Sequence, residues 1–333
     1  MVESFCVNLR FRQASAMHTI KNAKFYLLYL RYIIMENKIT YTQCPACNSM
    51  HIAKALQAKD YTVSQEIFEI WECGDCTLRF TQNAPDKISS AKYYDSPEYI
   101  SHSNTKQGFI NKVYHKVRSI TLNSKRKLVQ KQSGLQKGNL LDVGAGAGAF
   151  LNVMKQAGWN VTGVEPDDTA RKNAQENYSI QLQEEQSLNS FAPESFDVIS
   201  LWHVLEHVHD LHGYINSFMR LLKPKGTLFI AVPNYTSKDA QIYGEHWAAY
   251  DVPRHLYHFS PKSMDLLMDK HGFIITAQKH MWFDSFYVSM LSEKYEVGST
   301  NYIKALWSGI SSNLTAAGNA AKCSSVIYVI RKK

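Results

Sequence analysis

Apolar and polar positions follow different rhythms along the chain. In the N-terminal quarter, Val63, Ile67, Phe68, Ile70 and Trp71 give Tyr61 to Trp71 the character of a strand. Residues 107–133 switch to a helical rhythm. Phe109, Ile110, Val113, Val117, Ile120 and Leu128 recur at roughly helical spacing, and Lys and Arg fill the opposite face. From residue 138 onward, short apolar runs alternate with helical stretches. Strands are predicted near 140–143, 161–165, 180–183, 197–202 and 227–233, then a helix at 261–271 and strands at 274–282 and 324–331. Such alternation predicts an α/β, mostly parallel sheet covered on both faces. Two stretches interrupt it. Residues 234–259 are rich in aromatics and His, and a loop this long inside a compact domain is usually functional. Residues 283–323 form a second insertion, in which Trp282, Phe283, Phe286, Tyr287 and Leu291 suggest an apolar helical face that caps a pocket, packs in a dimer or touches lipid.

Composition narrows the class. The 333 residues are 45% hydrophobic and 20% charged, as expected of a globular chain large enough for two domains. Half of the formal +8 charge sits in residues 1–34, so the remainder argues only weakly for a nucleic-acid partner. The most apolar candidate for a membrane span, Phe25 to Met35, is interrupted by Arg31 and is shorter than the ~20 residues a spanning helix needs. No small-residue cleavage site follows it, which points away from a signal peptide and toward a cytoplasmic protein. Residues 1–34 read as an extension upstream of a natural start at Met35, or else as a basic amphipathic anchor.

Four of the six cysteines form Cys44-Pro-Ala-Cys47 and Cys73-Gly-Asp-Cys76. Each pair is a knuckle that turns two thiolates toward one ion, and two knuckles complete a tetrahedron. Residues 35–82 therefore read as a small zinc ribbon, too short to fold without its metal. Four thiolates leave no open coordination position, so the zinc would be structural. A connector and helix would occupy 83–137, with Pro85, Pro97, Tyr93, Tyr94 and Tyr99 in the connector.

The densest chemical signal is Leu140-Leu-Asp-Val-Gly-Ala-Gly-Ala-Gly-Ala-Phe150. An apolar run ends in Asp142, Gly144, Gly146 and Gly148 follow at alternate positions, and a helical pattern begins. Glycines in a strand–turn–helix unit let the backbone approach a ligand where a Cβ would collide. Glu165 ends the next strand about 20 residues later, where an acid can hydrogen-bond ribose hydroxyls. Spacing alone leaves a dinucleotide and S-adenosylmethionine (SAM) open.

The glycine run, Val164-Glu-Pro, Ser195 to Val208 and Leu221 to Asn234 resemble, in order, four motifs of class I SAM-dependent methyltransferases. The resemblance covers roughly residues 138–282. It implies a Rossmann-like, seven-stranded methyltransferase sheet over 138–333, with the ribbon in front of it. It also implies SAM as cofactor, with Asp142, Gly144, Gly146, Gly148, Glu165, Gln186 and Trp202 lining its site. Trp202 and His203 would stand beside the sulfonium. Methylation of an alcohol or phenol needs a proton acceptor, and His is matched to neutral pH. The candidates are His255, where related O-methyltransferases carry a His, then His203. His207 and His258 read as packing or capping residues.

Glu206-His207 is also similar to ubiquinone-biosynthesis O-methyltransferases, some of which hold a divalent cation with an acid, acid, His set. His203 stands where the first acid would be, a departure that argues against a metal there. The ribbon, the Tyr93 to Tyr99 connector and the methyltransferase core together resemble sugar C-methyltransferases and bacterial methyltransferases encoded with surface-glycan enzymes. A sugar or glycan precursor is therefore the first expected acceptor and a lipid or quinone the second. RNA or protein gripped by the ribbon, and a non-catalytic scaffold, rank below these. The sequence leaves the oligomeric state open.

Overall fold

The computed structural model describes residues 37–95 and 109–333, with side chains from 117 onward in the second stretch. Residues 1–34, Met35, Pro97 and Tyr99 lie outside the described residues.

The N-terminal unit is antiparallel. β1 (Lys38–Ile39) pairs with β5 (Ala84–Pro85), while β2 (Ile52–Lys59), β3 (Ile67–Cys73) and β4 (Arg79–Gln82) form a meander. The strand expected from Tyr61 begins only at Ile67. Asp60 is the reason: its carboxylate accepts the N–H groups of Thr62 at 3.0 Å, Val63 at 3.2 Å and Ser64 at 2.8 Å. These bonds close a turn in competition with the sheet ladder. Helix α1 (Phe109–Ser133) follows, as its periodicity predicts.

The second half is built on one mixed sheet. β6 (Asn139–Val143), α2 (Ala149–Gln156), β7 (Asn160–Val164), α3 (Asp168–Tyr178), β8 (Phe196–Trp202), α4 (Leu211–Leu221) and β9 (Leu222–Pro233) alternate along the chain. The insertion then supplies α5 (Lys238–Tyr243) and β10 (Tyr257–His258). After them come α6 (Pro261–Lys270), β11 (Phe273–His280), α7 (Asp284–Val297), α8 (Tyr302–Ala316) and β12 (Ser325–Lys332). The sheet order is β11-β12-β9-β8-β6-β7, parallel from β9 to β7 and antiparallel at β12.

Six strands form where seven were expected. Residues 180–183 contribute one bridge, Gln183 to Val164, before Glu185–Asn189 turns into 3-10 helix. Leu140, Leu141, Val198 and Ile199 are fully buried at the centre of the sheet. Helix α4 buries Leu211, Ile215, Phe218 and Leu221, a stripe at helical spacing. Each such side chain contributes about 1.5–3 kcal/mol of transfer free energy.

The insertion after β9 is no open loop. Trp247, Tyr250 and Val252 are buried, and β10 joins the N-terminal sheet beside β4, so that sheet reads β10-β4-β3-β2. Arg254 fastens the same junction. Its guanidinium meets Asp60 at 3.0 Å and Asp251 at 2.6 Å, and donates to the Tyr93 carbonyl at 2.8 Å. Cys44, Leu78 and Phe80 share one apolar core with Tyr257, Phe259 and Met264.

Candidate active site

The glycine turn leaves β6 at its carboxyl end. Gly144 and Ala145 donate N–H groups to the Val164 carbonyl at 2.8 and 3.1 Å, which ties the turn to β7. Gly144 has φ +67°, and a Cβ there would lie 2.4 Å from a Val204 methyl. Gly146 has φ +53°, but a Cβ would meet nothing within 4 Å. The first glycine answers to packing and the second faces open space, the place for a ligand. Gly148 caps the N-terminus of α2.

Glu165 follows β7 and is held from both sides. One carboxylate oxygen accepts the Gly146 N–H at 2.8 Å and the other the Asp167 N–H at 3.0 Å. Burial raises its pKa. Asp142 is buried beneath the turn and accepts the Ser200 hydroxyl at 2.6 Å; burial lifts its pKa to about 7. Beyond Glu165 opens a cleft of about 360 Å³, lined among others by Asp167, Arg171, Glu184, Glu185 and Gln186. Lys87, from the N-terminal half, reaches its rim and pairs with Glu185 at 2.7 Å.

Trp202 ends β8 with its ring edge-to-face on Phe150 and the Lys125 ammonium 4.3 Å above it. His203, the next residue, has φ +60°. Its Nε2 lies 2.9 Å from Asp284 and its Nδ1 3.3 Å from Glu206. Burial opposes charge on the ring, yet the two carboxylates outweigh it and hold the His203 pKa at about 10. At neutral pH this imidazole is a cation and donates from both nitrogens.

One turn further on, Glu206, His207 and His255 each bring a ligand atom within 4.8 Å of the others. His207 Nδ1 lies 3.1 Å from the Arg254 carbonyl, and His255 Nδ1 2.9 Å from the Ala249 carbonyl. A carbonyl only accepts, so both rings carry the proton on Nδ1 and leave an Nε2 lone pair for the site. Burial and the neighbouring His255 lower the His207 pKa to about 4. Glu206 is fully buried, and its Oε2 has no hydrogen-bond partner among the described residues. A buried oxygen of this kind calls for a proton donor or a cation. Thus β8 and the insertion bring His203, Glu206, His207 and His255 together. His258 lies in β10 with its Nε2 3.1 Å from the Thr81 hydroxyl, and Ser260 caps α6 in a reciprocal capping box with Ser263.

The four cysteines converge as well. Cys44 Sγ lies 3.5 Å from Cys76 Sγ, and Cys47 Sγ 3.6 Å from Cys73 Sγ. The hydrogen bond from Cys76 lowers the Cys44 pKa to about 5, against the opposing effect of burial. Three of the four sulfurs belong to buried residues, and all four lie within 4.8 Å of one another.

Sequence reasoning did not single out Lys125, Asp251 or Asp284. Lys125 was one among many cations of α1, and Asp284 lay inside an insertion with no local pattern to mark it.

A family model described as a methyltransferase domain matches residues 115–278. The ubiquinone biosynthesis O-methyltransferase of Actinobacillus pleuropneumoniae serotype 7 (strain AP76) is 36% identical over 143 residues, 39% of this chain and 61% of the relative. The chain thus spans less than two thirds of that relative's length. The enzyme of the same name from Photorhabdus laumondii subsp. laumondii is 26% identical over 193 residues, 55% of this chain and 73% of the relative. Among solved structures, magnesium protoporphyrin IX methyltransferase from Synechocystis PCC 6803, with bound S-adenosylhomocysteine, superposes with a TM-score of 0.49 at 15% identity, covering 74% of this chain and all of that one. With the ordered motifs, the alternating sheet and the glycine turn beside Glu165, the domain match and the curated relatives mark residues 115–278 as a class I SAM-dependent methyltransferase domain.

Proposed function

We propose that this chain transfers the methyl group of SAM to a hydroxyl of a small apolar acceptor of the phenol or quinone-precursor kind. The observation that carries the reading is the grouping of Glu206, His207 and His255, with two Nε2 lone pairs and an unpartnered carboxylate oxygen, one turn beyond Trp202. That chemistry suits removal of a proton from a weakly acidic hydroxyl. The ubiquinone O-methyltransferase relatives favour the same acceptor class over the sugar expected first.

The open face of Gly146 and the carboxylate of Glu165 fit SAM. Gly144 to Gly148 would pass along its methionine and ribose, Glu165 would take the ribose hydroxyls with its free lone pairs, and Gln186 would flank adenine in the cleft. SAM supplies a methyl group on a positively charged sulfur. The acceptor oxygen forms the new C–O bond as the S–C bond breaks, and His255 Nε2 receives the hydroxyl proton. Asp251 Oδ2, 3.9 Å from that nitrogen, supports the imidazolium that results. His203, with both N–H groups held by Asp284 and Glu206, acts in this reading as a positioning residue that fixes the Glu206 carboxylate beside the acceptor. Glu206, His207 and His255 also fit a divalent cation, their Nδ1–H groups fixed by carbonyls as metal-bound imidazoles usually are. Such an ion would supply Lewis acidity to the hydroxyl. Cys44, Cys47, Cys73 and Cys76 fit one structural zinc ion.

The test is transfer of labelled methyl from SAM to a prenylated dihydroxybenzoate, compared with a sugar nucleotide. We expect the phenol to be methylated, and His255→Ala to lower kcat about 100-fold or more while S-adenosylhomocysteine still binds. Turnover of the sugar nucleotide alone would overturn the acceptor class.

A further inference from the structure

Lys125 belongs to α1, a helix rich in basic residues. Its side chain is partly buried, and its ammonium stands 4.3 Å above the Trp202 ring. Among the described residues no carboxylate lies within ion-pair distance of it. Asp284 and Asp142 act on it from further away, and burial outweighs both to lower its pKa. The ammonium is thus held by the electron-rich face of an indole and not by a counter-ion. A flexible four-carbon stem makes that hold easy to give up.

The niche lies between the donor and acceptor sides of the site. Asp142 sits beneath the glycine turn, where it takes the Ser200 hydroxyl at 2.6 Å. Asp284 belongs to the acceptor side, 2.9 Å from His203. Trp202 stands between them at the end of β8, with Phe150 of α2 edge-to-face on its ring. Its indole Nε1 is buried and has no hydrogen-bond partner among the described residues. An aromatic face flanked by two acids suits one positive charge, and in the empty protein Lys125 supplies it.

We propose that Lys125 is a specificity-determining residue whose ammonium competes with the sulfonium of SAM for the face of Trp202. The proposal rests on the reading of the glycine turn as a SAM site. S-adenosylhomocysteine differs from SAM at this point by one methyl group and one positive charge. Displacement of the lysine stem by volume is nearly common to both compounds. Only SAM also sets two positive charges against each other, in a place where water screens them poorly. The His203 cation leaves this comparison unchanged, because Asp284 and Glu206 already match its charge. Lys125 therefore weakens SAM relative to its product. Methyl transfer leaves the electron pair of the broken S–C bond on sulfur and ends the repulsion, so the product is retained. Turnover then answers to the ratio of SAM to S-adenosylhomocysteine.

The experiment is calorimetric titration of SAM and of S-adenosylhomocysteine, separately, into the full chain, Lys125→Met and Lys125→Arg. Lys127→Met, at an exposed position of the same helix, is the control. We expect Lys125→Met to raise the affinity for SAM relative to S-adenosylhomocysteine about tenfold. Lys125→Arg keeps the charge and should keep the parental ratio, as should the control. An unchanged ratio in Lys125→Met, with both compounds still bound, would overturn the inference and leave the cofactor reading intact. The same rise in Lys125→Arg would overturn it too, since charge would then not be the cause. Loss of both compounds in Lys125→Met alone would make Lys125 a structural prop and end the proposal. Binding of neither compound by the unaltered chain would overturn the cofactor reading and this inference with it.

Discussion

Nε2 of His203 lies 2.9 Å from Oδ2 of Asp284, so the first residue of α7 holds the imidazole that follows β8. With Glu206 on the other nitrogen, the ring keeps its proton up to a pKa of about 10. This value lies above that of an unfolded His, so the clasp stabilises the fold fully below pH ~6.5 and loses that effect as pH rises toward 10. Asp284→Asn should lower the His203 pKa by a unit or more and cost stability at pH 7, with the difference shrinking above pH 10. Histidine resonances in NMR titration and melts across pH read both effects. A His203 that titrates near 6.5 in the unaltered chain would rule out the clasp.

Asp142 carries the opposite charge with the same sign of linkage. Its pKa of about 7 in the fold exceeds the ordinary value of 3.8, so its contribution is greatest below pH ~4 and is lost as pH rises through 7. Asp142→Asn keeps an oxygen for the Ser200 hydroxyl and removes the buried charge. The variant should therefore gain melting temperature relative to the parent at pH 8 over pH 5. An equal difference at both pH values would mean that Asp142 titrates as an ordinary carboxylate.

The two glycines of the turn should fail differently. Gly144→Ala drives a methyl into Val204 at a positive φ and should cost about 1–3 kcal/mol of stability along with cofactor affinity. Gly146→Ala meets no protein atom, so its stability loss should stay near 1 kcal/mol while S-adenosylhomocysteine binding falls at least about tenfold. Calorimetry on both variants separates the effects. Undiminished binding by Gly146→Ala would remove SAM from the open side of the turn.

Cys73→Ser should release zinc and destabilise the N-terminal unit by several kcal/mol. Its effect should extend to the acceptor side, because Thr81 on β4 donates to the His255 carbonyl at 2.7 Å. We expect the variant to hold S-adenosylhomocysteine but turn over acceptor more slowly. Metal analysis, melting and single-turnover rates are the measurements. A parent protein that purifies without stoichiometric zinc and melts identically to the variant would contradict the prediction.

What the sequence made legible was local. The strand, glycine turn, helix, strand and acid from Leu140 to Glu165 lie within one βαβ unit, so spacing alone locates them. The cysteine knuckles are equally short. The acceptor side is assembled from distant parts: His203 meets Asp284 across an insertion, and Arg254 meets Asp60 across the junction of the two sheets. Periodicity carries no record of such pairs. The strand forecast at Tyr61 gave way to the turn that Asp60 closes, and the one at 180–183 shrank to a bridge beside Val164. Apolar spacing also marked the 283–323 insertion as helical but was silent on which face would turn outward, since that depends on what Phe286, Gly309 and Asp239 pack against.

The strand β10 makes the order of synthesis matter. The meander β2-β3-β4 leaves the ribosome with the side of β4 uncovered, and the segment that pairs with it, Tyr257–His258, emerges only after most of the second half has been made. At ordinary elongation rates that interval is roughly ten to thirty seconds. Throughout it the nascent chain presents an open sheet edge, the kind of template that other chains can join. Completion of the first unit to be synthesised thus waits on the second, and a chaperone that shields this edge during translation would act on Arg79 to Gln82.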